Sequence, residues 1–275
     1  MSVDGAPRQF RFQGDATERR LGRLAAAAGV AMLALSYLPM LWLALMSFSP
    51  EPLSGIPGRP TLEWYRKLFT DLRWVDPLWT SMLLGCLVGL ACAVMALAVG
   101  RIIPAMRNRG MPIVLFLLPL FIPGVLMGVG LFIYYRVALG FRMGSWAVMI
   151  GHFAWAFPFA LLALLISTTR FDARLREAAG DLGASPWRAF WDVELPLIYP
   201  GVVAAALFGF LLSFNEFSRS ILLRGSITTL PLYEWAQASA HTSNVPLVFS
   251  LSTLILAASL LLVSTAFWLL FGRAK

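Results

Sequence analysis

Six stretches of this chain, 24–50, 77–100, 110–135, 143–169, 195–215 and 245–271, contain no aspartate, glutamate, lysine or arginine. Each reaches the ~20 residues that an α-helix needs to cross a hydrocarbon layer of about 30 Å. Only 13% of the 275 residues are charged and 59% are apolar, which no water-soluble domain of this size matches. The solvent for most of the surface is therefore lipid. Within lipid, every backbone N–H and C=O must be satisfied inside its own helix or inside a closed barrel. None of the six runs alternates with the two-residue period of barrel strands. The expected fold is an all-α membrane protein: a polar arm over 1–23, then one transmembrane domain of six helices over 24–275.

Arginine and lysine set the orientation, because loops rich in them stay on the cytoplasmic side. With the N-terminus inside, fourteen fall on that side: five in the arm, then Arg101, Arg107, Arg109, Arg170, Arg174, Arg176, Arg188, Arg273 and Lys275. Eight fall outside, namely Arg59, Arg66, Lys67, Arg73, Arg136, Arg142, Arg219 and Arg224. Both termini are expected to be cytoplasmic. The net charge of +8 then reports topology, and nucleic acid is not an expected partner. The polar arm of about 20 residues precedes a span too long for a signal-peptide core, so the first helix is expected to be retained. Cys86 and Cys92 lie six positions apart on one expected helix, face different ways and cannot bridge, so both are read as small apolar side chains.

Between the first two spans, 48–78 holds Pro52, Pro57, Gly58 and Pro60, then the amphipathic run TLEWYRKLF. That run predicts a short helix on the membrane surface, with Trp64 and Tyr65 at headgroup level. The short basic connection 101–112 makes helices two and three antiparallel neighbours. The third span contains Pro119, Pro123, Gly124, Gly128 and Gly130. Proline frees backbone carbonyls and glycine lets backbones approach, so this span is either a kinked, closely packed helix or a broken one lining a path. Gly85 and Gly89 read as packing positions. The outer segment 224–246 is too long and too mixed for a turn, and either dips back toward the membrane or presents a surface to a partner.

The loop 170–197 differs in kind from the other connections. Asp172 is placed to cap a helix over 173–182, on which Leu175, Ala178, Ala179 and Leu182 form one apolar stripe. Gly183 stands where that helix ends, a position suited to positive φ. Ser185-Pro186 restarts the chain with a cap residue and a proline at the first helical position. Trp187, Phe190 and Trp191 cluster on this second helix, which Pro196 is expected to close before span five. A charged, aromatic helix–turn–helix has no packing reason between two membrane spans. Its exposed aromatics have the composition of a protein–protein hot spot, the alternative being a hairpin lying in the bilayer interface.

The pattern Glu177-Ala178-Ala179, three residues, Gly183, nine residues, Val193, one residue, Leu195-Pro196 resembles the signature loop of integral membrane subunits of binding-protein-dependent ABC importers. The resemblance extends to helix count, loop lengths and the position of the loop between spans four and five. It implies that the loop forms coupling helices seated in a cleft of a cytoplasmic ATPase. Glu177 would contact the rim of that cleft, Ala178 and Ala179 would allow close approach, Gly183 would set the turn, and Trp187, Leu195 and Pro196 belong to the same ATPase-coupling element. It further implies a second, different permease subunit, two ABC ATPases that bind ATP and Mg²⁺, an external solute-binding protein, and a place in the bacterial cytoplasmic (inner) membrane. The SFNEF stretch followed by TLPL resembles the spermidine/putrescine branch. Related branches carry 2-aminoethylphosphonate or ferric iron.

The chain has two lysines, Lys67 and Lys275, and neither follows a glycine-rich phosphate loop, so ATP is expected to bind elsewhere. No catalytic residue, cofactor site or metal site is expected: HExxH, GxSxG and CxxC are absent, and His152 and His241 have no evident metal partners. His152 reads as a satisfied or cavity-facing residue. Glu216 is a lone carboxylate at the outer end of span five, too isolated for a proton relay. With Asn215 and Arg219 it forms the candidate substrate path, and it either faces a cavity or pairs with Arg219 at i+3. A carboxylate there suits a polyamine, whereas Asn215 and Arg219 suit an anionic or zwitterionic ligand. The competing class, a self-contained secondary transporter or channel, needs an inverted repeat or a coupling-ion site, and neither is visible.

Overall fold

The computed structural model describes residues 16–271, so most of the arm, with Arg8 and Arg11, and the tail, with Arg273 and Lys275, lie outside the described residues. In chain order the helices are α1 (Ala16–Met46), α2 (Glu63–Thr70), α3 (Val75–Ile102), α4 (Gly110–Leu117), α5 (Gly124–Phe132), α6 (Ser145–Thr168), α7 (Arg174–Asp181), α8 (Pro186–Ala189), α9 (Leu195–Phe214), α10 (Ser220–Leu223), α11 (Leu230–Ala240) and α12 (Val245–Phe271). No strand occurs among the described residues. The helices α1, α3, α6, α9 and α12 give five unbroken segments long and apolar enough to cross a membrane.

The sixth span is broken. Gly110–Phe121 and Gly124–Ala138 meet at an angle of 93°. The cause is local: Ile122 and Pro123 have extended ψ values of 121° and 136°. A residue before proline is pushed out of the helical region, and Pro123 has no N–H to continue the ladder. Of the two readings open for this span, the structure shows the broken helix.

The core is a bundle of α3, α6 and α9, closed around Val88, Cys92, Ala96, Ala160, Leu161, Leu164 and Ala205. Glycine makes the α3–α9 crossing possible: a Cβ on Gly209 would stand 2.8 Å from the Gly89 Cα, and one on Gly89 would stand 2.8 Å from the Ala206 carbonyl oxygen. Both obstacles are backbone and neither can turn aside. Gly209→Val is expected to destabilise the subunit by at least the ~1–3 kcal/mol typical of overpacking, measured as a lowered unfolding midpoint in detergent. Cys92 lies in this core and Cys86 is exposed on the other side of α3, as their spacing requires.

Helix α2 forms where TLEWYRKLF predicts it and packs on α12, with Trp64 Nε1 donating to the Ser49 carbonyl at 2.9 Å and Tyr65 OH 2.7 Å from Ser47 Oγ. In the loop before α3, the Arg73 guanidinium bonded to Asp71 holds that carboxyl below its ordinary value. The 224–246 segment folds back onto the bundle: α11 begins with the Leu230 N–H donating to Ser81 Oγ at 2.8 Å and buries Leu230 and Leu232. On α11, burial pushes the Glu234 carboxyl up, opposed by a hydrogen bond from Ser252. By contrast α1 is almost uncovered, touching the bundle chiefly along α12.

Candidate functional site

The hairpin between α6 and α9 is built by local bonds. Asp172 Oδ1 accepts from the Arg174 N–H at 3.0 Å, the capping bond expected of it, while α7 itself starts at Arg174, one residue later than the helix over 173–182. At the far end of α7 the Ala184 N–H donates to the Ala179 carbonyl and the Gly183 N–H to the Gly180 carbonyl, each at 2.9 Å. That crossed pair, with Gly183 at φ +86°, is the Schellman ending of a helix. Ser185 Oγ then accepts from the Arg188 N–H at 3.3 Å and starts α8 with Pro186 at the first helical position.

The second half of the hairpin corrects the sequence reading. Pro196 does not close the aromatic helix, because α8 runs on into α9 as one apolar helix, Pro186–Phe214. A single wide turn over Phe190–Glu194 absorbs the proline: the Leu195 N–H donates to the Phe190 carbonyl, five residues back. The ladder changes register just before Pro196, so the missing N–H and the proline ring are accommodated without a break.

Most of the hairpin surface is unpartnered within the chain. Glu177 is exposed, with no ion pair or side-chain hydrogen bond among the described residues. Ala178 is exposed and Ala179 half-buried beside it, while Leu182 is 89% exposed and Trp187 69% exposed. Trp187, Phe190 and Trp191 form a mutual cluster with ring centroids 5.2–6.3 Å apart, Trp191 meeting both of the others edge-on. Leu195 is half-buried and Pro196 exposed. A groove of about 730 Å³ between α6 and α9 opens at the base of the hairpin beside Arg170, Asp172 and Leu175.

Beneath this surface is a residue that the sequence reading missed. Glu194 is 3% exposed, and its carboxylate takes a two-pronged bond from Arg101 at the end of α3, Nε to Oε1 at 2.5 Å and a terminal nitrogen to Oε2 at 2.7 Å. Arg176 of α7 approaches Oε2 at 3.8 Å, and the Arg101 guanidinium lies over the Phe190 ring at 4.2 Å. The available signal was depth: Glu194 and Arg101 each border a charge-free run, at the same end of the bundle.

At the opposite end the three substrate-path candidates take different places. Glu216 (8% exposed) and Arg219 (2% exposed) are paired, Arg219 donating through a terminal nitrogen to Oε2 at 2.7 Å and through its backbone N–H to Oε1 at 3.0 Å. The guanidinium lies over Trp155 at 4.4 Å, its Nε reaches Met127 Sδ at 3.3 Å, and its other terminal nitrogen has no hydrogen-bond partner among the described residues. Nearby, His152 bonds both Ser213 and Ser220 at 2.8 Å, so it is a satisfied residue. Asn215 remains exposed, its amide donating to the Leu211 carbonyl at 2.9 Å. Of the alternatives open for Glu216, the structure shows the pair with Arg219. Arg136, Arg142 and Arg224 line a separate cavity of about 670 Å³ at this end, and none forms an ion pair among the described residues. No cluster of metal-binding side chains occurs among the described residues.

A polytopic helical bundle with a polar, aromatic handle at one end and a broken span beside a buried ion pair at the other is a membrane transport subunit in form. Residues 105–273 match the family described as "binding-protein-dependent transport system inner membrane component", and the chain belongs to that family. It is 27% identical over 249 residues to the putrescine transport system permease protein PotI of Escherichia coli (strain K12), covering 87% of each chain. It is 28% identical over 241 residues to the spermidine/putrescine transport system permease protein PotC of the same strain, covering 85% of this chain and 88% of that one. Among solved structures, a bacterial ABC transporter importing the acidic polysaccharide alginate shares the fold, with a TM-score of 0.63 at 18% identity over 95% of this chain and 99% of that one. The alginate transporter in complex with its pentasaccharide-bound periplasmic protein gives 0.65 at 16% identity, covering 94% and 96%. The chain is thus the permease subunit of a binding-protein-dependent ABC importer, a non-enzymatic transport component.

Proposed function

We propose that this permease carries a small organic polycation of the putrescine or spermidine type. The observation supporting this is the match to PotI and PotC along more than four-fifths of the chain. A second permease subunit completes the path and covers the exposed faces of α1 and the broken span. Two ABC ATPases, holding the ATP and Mg²⁺, grip the hairpin through Glu177, Ala178, Ala179, Gly183 and Trp187, with Leu195 and Pro196 joining it to α9. The unspent Glu177 carboxylate and the exposed Trp187 supply the polar and aromatic parts of such an interface. Both termini are cytoplasmic, in the inner membrane of a bacterium. The opposite face, with Arg136, Arg142 and Arg224, receives the external solute-binding protein. Glu216 and Arg219 close the outer end of α9 as a pair, and Asn215 is the member exposed to a passing solute.

The test is purification of the tagged chain in mild detergent, mass spectrometry of what accompanies it, and reconstitution of that assembly in vesicles with labelled putrescine. An ATPase and a second permease are expected, with uptake that requires ATP. A chain that purifies alone and moves solute without ATP would overturn the assembly. An intact assembly that ignores putrescine and spermidine would overturn the substrate alone.

A further inference from the structure

Three elements with separate tasks meet at one carboxylate. Arg101 ends α3, a core helix of the bundle. Arg176 belongs to α7, the first helix of the hairpin. Glu194 is the last residue of the wide turn that joins the aromatic half of the hairpin to α9. Hairpin and bundle are also connected by the chain itself, at Arg170–Ala173 before α7 and through the wide turn after α8. Single wide turns of this kind inside α-helices are rare and occur frequently at functional sites.

A charge-assisted, two-pronged bond fixes both distance and plane, which a lone contact does not. Burial makes the bond persistent, because separating the partners leaves a charge without solvent. The Phe190 ring beneath Arg101 confines the guanidinium from a third side. We infer that Glu194 is a positioning residue of the transport cycle: it locks the wide turn to α3 and α7, so that displacement of the hairpin moves α3 and α9 together instead of being dissipated at the turn. This rests on the permease reading for its transport consequence, while the mechanical lock itself does not depend on it.

The experiment uses the full chain with its co-purified partners in lipid nanodiscs. Spin labels go on Leu182→Cys and Met106→Cys, both exposed, with Cys86 and Cys92 replaced by alanine. The parent protein is expected to give a narrow distance distribution between hairpin and the end of α3, and Glu194→Gln a broad one. In vesicles, putrescine taken up per ATP hydrolysed should fall about tenfold or more in Glu194→Gln, because the two-pronged charged bond that fixes the turn is lost. Arg101→Lys keeps the charge but loses the fork, and should broaden the distribution to a lesser degree. It also serves should Glu194→Gln fail to insert. Narrow distributions in both variants, or an unchanged uptake-to-hydrolysis ratio with Arg101→Lys indistinguishable from the parent, would overturn the lock. If the parent assembly hydrolyses ATP but takes up no putrescine, the substrate reading fails while the distance distributions still decide the lock.

Discussion

Arg219→Met is expected to destabilise the subunit by about 3–5 kcal/mol, the cost of leaving the partner of a buried ion pair uncompensated. Glu216 keeps the backbone N–H of residue 219 in that variant but loses the guanidinium, and it is buried with no second cation against it among the described residues. The loss spreads further, because the guanidinium lies over Trp155 from α6 and reaches Met127 of α5, tying the second half of the broken span to the bundle. The double variant Glu216→Leu/Arg219→Met should recover most of the stability, since an apolar pair of similar volume replaces a buried ion pair at little cost. Thermal unfolding of the purified assembly measures both. A single variant as stable as its parent would show that the pair is solvated and does not hold α5. The folded double variant also separates structure from transport. Loss of putrescine uptake in a stable double variant assigns the pair to the outer gate, and parental uptake makes it a structural brace.

Most of the bundle was legible because lipid imposes a simple rule on sequence. The charge-free run 143–169 became α6, Ser145–Thr168, and the run 245–271 became α12, Val245–Phe271. The ending of α7 was legible for a different reason: glycine followed by a serine–proline restart is a local pattern, and the Schellman bonds at Gly183 satisfy it without help from elsewhere. What stayed hidden depends on partners far along the chain or on small changes of ladder register. Pro119 and Pro123 in span three are compatible with a kink or a break, and only the packing of both halves selects the 93° bend. Pro196 looks like a helix stop until the wide turn before it shifts the hydrogen bonds by one residue. The bond between Arg101 and Glu194 joins positions 93 apart, and it can be anticipated only once the ends of α3 and α9 are known to share a depth. Glu216 and Arg219, three apart, were within local reach, but sequence alone leaves a buried pair and a cavity-facing carboxylate equally open.

Gly183→Val is expected to abolish ATP-driven uptake while leaving membrane insertion intact. Gly183 adopts φ +86° in open space, with nothing within 4 Å of a Cβ built on it, so the penalty is conformational and not steric crowding. A β-branched residue held in the left-handed region costs of order 1–3 kcal/mol. That is enough for the turn to choose another geometry, because few tertiary contacts oppose it: Leu182 is exposed on one side of the turn and Ser185 on the other. Releasing the turn breaks the crossed bonds from Gly183 and Ala184 and reorients α8 against α7. Glu177 on α7 and Trp187 on α8 would then no longer present one surface to the ATPase. The bundle of α3, α6 and α9 makes no use of this turn, so yield and unfolding temperature of the membrane domain should stay near those of the parent. Gly183→Asn supplies the control, since asparagine enters the left-handed region more readily than other side chains and should retain much of the uptake. Recovery of the ATPase with the tagged chain and labelled putrescine uptake are measured together across Gly, Asn, Ala and Val. A graded loss in that order ties coupling to the backbone conformation at one residue, whereas parental uptake in the valine variant would remove Gly183 from the coupling element altogether.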